Sequence, residues 1–169
     1  MNASRWTRML HRLSGSAEPI TWTEVVAGYD FSMLGPEDIR EWVAEQGFAG
    51  AACLQLLALQ GQALVEFEQR MWEACAECLG RVPRPGELLW ARAQDRWRRA
   101  LLREALEADL TEPALAQAIE SIYETVGCPD DMLALWDRKS PWQGRAERVN
   151  FEALCAFLGF PGLSAPVAA

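Results

Sequence analysis

The sequence predicts an all-α fold, a single globular bundle of about eight helices. Three observations carry that expectation. Apolar residues recur at three- and four-residue spacing through most of the chain. Capping residues and Gly or Pro breaks cut the pattern into segments of helical length. No run of five or more residues alternates apolar and polar side chains as a strand would.

Trp6, Met9, Leu10 and Leu13 share one face of the first segment, with Arg5, Arg8 and Arg12 opposite. This predicts a short basic amphipathic helix, followed by a Ser14–Ala17 joint rich in small residues. Residues 1–17 are therefore expected as a basic, loosely tied N-terminal segment. A single helical domain is expected over residues 18–160, and residues 161–169 read as a frayed tail.

Thr21 and Glu24 have capping-box spacing and open a helix that buries Trp22, Val25 and Val26. Gly28 and the stretch to Met33 are read as its end. Pro36 suits a first turn, and Glu37 and Asp38 suit the positive end of the helix dipole. Ile39, Trp42 and Val43 form that helix's apolar side, and Gly47 its stop. Residues 50–60 are apolar almost all round, which predicts a fully enclosed central helix. Gly61 either divides it from the next segment or lies within one long helix.

Residues 62–79 place Leu64, Phe67, Met71, Cys75 and Cys78 on one stripe, with Glu66, Glu68, Arg70, Glu73 and Glu77 facing away. Gly80 and Pro83–Gly86 make a loop. Residues 87–108 form the longest expected helix, lined by Leu89, Ala93, Trp97, Leu101 and Ala105. Thr111 and Pro113 open the next helix and Gly127 stops it. A short helix is expected from Pro129 to Trp136, then an irregular stretch over 138–148. Asn150 caps a final helix that Gly159 ends.

The chain of 169 residues carries a formal net charge of −8. Phosphate binding needs surplus Lys and Arg, so nucleic acid is disfavoured as a partner. An acidic surface speeds the approach of a basic protein instead. The N-terminal residues lack the apolar run of a secretory signal, because Arg and Ser break it, and none is expected. No stretch approaches the roughly 18–20 apolar residues that span a bilayer. The expected location is the cytoplasm, with no membrane partner. Five cysteines, an odd number scattered through helical segments, suit reduced thiols better than a disulfide framework.

The inventory for catalysis is thin. His11 is the one histidine and Lys139 the one lysine. A nucleophile generally needs a base, and no Ser or Cys here has a histidine placed by the pattern. Neither phosphate-loop nor dinucleotide glycine motifs occur. Cys75 and Cys78 have C-x-x-C spacing, which suits half a zinc site or a redox pair. They fall at the end of a helix without a second pair, and read as packed thiols. Arg92, Arg96, Arg99 and Arg103 lie on one helical stripe, expected to pair within the chain or meet water. No cofactor, no metal and no catalytic residue is assigned.

Four stretches, taken in order, carry a resemblance. They are Trp22–Gly28, Leu34–Ile39, Arg96-Trp97 with Leu101-Leu102, and Ile122–Glu124 with Gly127-Cys128-Pro129 and Met132. Over residues 20–136 the chain resembles a bacterial family described as domain of unknown function 2247. Relatives of this kind resemble immunity proteins, which neutralise toxins in bacterial competition. The resemblance implies a non-catalytic immunity-type inhibitor of a toxin, and the acidic charge suggests that the toxin domain is basic. An adaptor or regulatory subunit is the alternative, followed by a carboxylate- or thiol/metal-dependent enzyme. The expected partner contacts are Glu37, Asp38, Glu41, Trp42, Asp130, Asp131 and Trp136, where two helix starts place acid beside tryptophan.

Overall fold

The computed structural model describes residues 5–59, 61, 64–137, 144 and 146–160. The fold is all-α. The described helices are α1 (Arg5–Leu13), α2 (Trp22–Asp30), α3 (Pro36–Gln46), α4 (Ala51–Ala58), α5 (Leu64–Leu79), α6 (Leu88–Glu107), α7 (Glu112–Thr125) and α8 (Phe151–Leu158). A 3-10 turn covers Asp130–Met132. No described helix is long and apolar enough to cross a membrane. Lys139, Trp142 and the 161–169 tail lie outside the described residues.

The chain divides into two compact units, Met1–Trp97 and Arg98–Ala169, with the boundary inside α6. In the first unit α2 and α4 pack on α5, and α3 packs on α4. Helix α1 buries Trp6, Leu10 and Leu13 in this unit, so the apolar face of the basic segment is used for packing. Trp6 stacks on Trp97 at 6.1 Å, and Trp22 meets Trp42 edge-on at 5.2 Å. Four indoles thus form one aromatic nest that each of α1, α2, α3 and α6 enters with one ring. Such rings remove large apolar areas from water and add favourable edge-to-face geometry.

The caps follow the sequence at most ends. Thr21 accepts from the Thr23 N–H, and Glu24 Oε2 accepts from both the Thr21 N–H and its hydroxyl. Asn150 accepts from the Ala153 N–H. Gly47 and Gly159 close α3 and α8 in the left-handed conformation.

Helix α2 ends differently from the expectation. Gly28 lies inside it, and Ser32 takes the left-handed conformation at φ 57°. The Ser32 N–H donates to Tyr29 O and the Met33 N–H to Gly28 O, the Schellman pattern. Gly28 serves packing instead. A Cβ there would sit 2.4 Å from the Trp97 ring, so only glycine admits that indole.

Helix α4 also departs from the expectation. It buries Cys53 and Leu56, while Leu54 is 53% exposed. Its eight residues pack through one stripe, so an apolar composition did not mean enclosure.

In the second unit α7 buries Leu115, Ala116, Ile119 and Tyr123, and α8 buries Leu154, Cys155 and Leu158. The helix expected over Pro129–Trp136 shrinks to the 3-10 turn. Beyond it Trp136 bridges Val149, with Asp137 N–H donating to Arg148 O and Asn150 N–H to Leu135 O. These bonds between two segments satisfy backbone groups that a longer helix would have used locally.

Candidate functional site

The expected contact residues separate once folded. Trp42 and Trp136 are 1% and 3% exposed, so neither ring offers a surface to a partner. Trp136 packs edge-on against Tyr123 at 5.3 Å. Asp131 accepts from Arg98 at 2.6 Å, while Asp130 is exposed. Asp38 accepts from the Gly35 N–H at 2.8 Å and serves as the cap of α3. Glu37 pairs with Arg40 one turn on, and Arg40 also donates to Leu59 O. Glu41 is exposed, with no ion pair among the described residues. The structure thus groups Glu37, Asp38 and Glu41 on α3 of the first unit. Asp130, Asp131 and Trp136 belong to the second.

Three arginines of the stripe, Arg96, Arg99 and Arg103, bond within the chain. In the first unit Arg96 is 5% exposed and donates to Glu18 O, Pro19 O, Ser14 Oγ and Glu24 Oε1. In the second unit Arg99 donates to Phe157 O and Arg103 to Leu158 O, satisfying the last carbonyls of α8. Guanidinium groups of Arg98 and Arg99 lie over the Phe157 ring at 4.8 and 5.1 Å.

A polar cavity of about 380 Å³ adjoins Arg96, lined by Glu18, Arg92 and Asp95 among others. Its charges are largely matched, with Arg92 3.9 Å from Glu18 and Arg96 held by Glu24. A second cleft of about 470 Å³ opens where the end of α2 and the start of α3 meet α5. It is lined by Tyr29, Asp30, Ser32, Leu34, Gly35, Pro36, Glu68 and Trp72. Asp30 and Glu68 have no ion pair among the described residues, so the carboxylates of this cleft are uncompensated. Glu37 follows directly after Pro36 at its edge. The cleft therefore combines aromatic walls with anionic groups, a surface suited to ammonium or guanidinium side chains.

The Tyr29 hydroxyl donates to Glu68 Oε1 at 2.9 Å and orients that carboxylate. Burial, then this hydrogen bond and the Glu68 charge, push the Tyr29 phenol from 10.0 up to about 12. A raised folded value means the linked stability is complete below pH 10.0 and is lost as pH rises towards about 12. The phenolate absorbance absent from a Tyr29→Phe variant should accordingly appear near pH 12 in the parent chain. Glu68→Gln should move that titration only part of the way down, because burial persists. A Tyr29 titration near pH 10.0 would place the ring in water.

Tyr29, Asp30, Glu68 and Trp72 carry no motif that marks them in sequence. Tyr29 and Glu68 stand 39 residues apart, and only the packing of α2 on α5 joins them. Among the described residues no group of three or more His, Cys, Asp or Glu is arranged to hold a metal ion. Comparison with protein-family models, with curated proteins and with solved structures finds no match to this chain.

Proposed function

We propose that the chain is a non-catalytic protein-binding domain, an immunity-type inhibitor that neutralises a basic bacterial toxin domain in the cytoplasm. The observation that carries this reading is the aromatic cleft with uncompensated Asp30 and Glu68, bordered by the acidic face of α3. A carboxylate held near aromatic rings gains most when a cation arrives to replace water. The family resemblance of residues 20–136 points the same way. Inhibition proceeds by steric occlusion, with Lys or Arg of the toxin seated against Asp30, Glu37, Glu41 and Glu68. Trp72, half-buried on the cleft wall, replaces Trp42 as the aromatic contact.

Affinity capture of the tagged chain, read by mass spectrometry, should return one stoichiometric partner bearing a toxic domain. With that partner, Asp30→Lys and Glu41→Lys together should slow association by about tenfold at low salt, and by less at high salt. Unchanged association and unchanged salt dependence would remove this face from the binding surface.

A further inference from the structure

We propose that Cys53 and Cys78 are a redox pair, which hydrogen peroxide converts to an intramolecular disulfide tying α4 to α5. The two sulfurs lie 3.7 Å apart although 25 residues separate them in sequence. Cys53 is buried in the first turn of α4, and Cys78 is exposed in the last turn of α5. One sulfur thus meets solvent while its partner waits beneath it.

The helices are clamped at this same turn. Glu77, next to Cys78, accepts from the N–H of Ala52, next to Cys53, at 3.0 Å. It supplies the cap that Gly50 cannot, and a Cβ on Gly50 would lie 2.3 Å from the Glu77 carboxylate. The sulfur contact is therefore held by a close approach of backbone and carboxylate. Cys75, the other thiol of the C-x-x-C, is buried and directed at Arg81 O, 3.9 Å away.

Exposure sets the order of reaction. The Cys78 sulfur attacks peroxide, the O–O bond breaks, and Cys78 sulfenic acid and one water form. Cys53 sulfur then attacks the Cys78 sulfur, the S–O bond breaks, and the leaving hydroxyl takes the Cys53 proton as a second water. Both sulfurs are oxidised and both peroxide oxygens are reduced. A thiol in a first helical turn is normally acidified. Here burial, then the Cys78 contact and the Glu77 charge, push Cys53 up to about 12. Cys53 thus stays protonated and protected until the sulfenic acid forms beside it.

The test uses the full chain, reduced with dithiothreitol, exposed to hydrogen peroxide, and blocked with N-ethylmaleimide. The oxidised monomer should lose the mass of two hydrogen atoms and protect two thiols from the blocking reagent. A tryptic digest should join the peptide holding Cys53 to the one holding Cys75 and Cys78, and fragmentation should place the link on Cys78. Cys75→Ser should keep that link. Cys78→Ser, at an exposed position, should abolish it without loss of fold. A Cys75–Cys78 link, a link between two chains, a Cys78 sulfinic acid with Cys53 still blocked, or no reaction would each overturn the proposal.

Discussion

Trp42→Ala should destabilise the first unit by about 3–5 kcal/mol, the cost of emptying a large aromatic site in a packed core. Its ring is 1% exposed. It meets Trp22 at 5.2 Å, Phe48 at 5.5 Å and Trp6 at 6.4 Å. Truncation would strip contacts from three rings on three segments. The indole N–H finds no acceptor among the described residues, so Trp42→Phe removes that liability along with part of the ring. The phenylalanine variant should therefore lose much less than the alanine one. Urea unfolding followed by tryptophan fluorescence measures both. A Trp42→Ala midpoint equal to the parent's would return this ring to the surface and to the partner contacts.

Arg96→Ala should cost a similar amount, about 3–5 kcal/mol, for an electrostatic reason. The guanidinium is 5% exposed and crosses from α6 to the α1–α2 connection. It holds Glu18 O at 2.6 Å and Pro19 O at 3.1 Å, carbonyls in a stretch without helical hydrogen bonds. A further partner, Glu24 Oε1, belongs to a carboxylate whose Oε2 caps α2. Removing Arg96 leaves a buried negative charge facing orphaned carbonyls. Glutamine can serve in a capping box, so Glu24→Gln removes the charge while keeping an oxygen for Thr21. Arg96→Met alone should lose several kcal/mol, and adding Glu24→Gln should recover part of it. Additive losses in that double-mutant cycle would show that Arg96 acts through packing alone.

The two variants show where sequence reading was adequate. Thr21 and Glu24 announced the start of α2 three residues apart, and both bonds of the box form. Pro36, Asn150 and Gly159 likewise mark ends through their own backbone preferences. Arg96 lay on a recognised stripe, yet its acceptors are carbonyls 77 and 78 residues away, which no spacing rule names. Gly28 looked like a stop because glycine often ends helices. Its reason is the Trp97 ring, which arrives from another helix.

The candidate site was legible only in part. The acid at the start of α3 is a local feature, since dipole and capping draw Glu37 and Asp38 there. Trp42 beside it looked like a contact because sequence proximity to acid says nothing about which side of a helix meets water. Helical phase placed Trp42 with Ile39 and Val43, and that face went to the core. Asp30, Glu68 and Trp72 became a cleft when α2 settled on α5.

Taken alone, the sequence determined the all-α fold, nearly every helix boundary and the acidic balance. These follow from periodicity, caps and composition, which act within a turn or two of chain. The tertiary structure alone decided that Trp136 is core, where the arginines are spent, which carboxylates remain uncompensated and which thiols touch. Each depends on two helices distant in sequence being pressed together. Burial, pairing and reactivity are properties of that contact, and no single segment contains them.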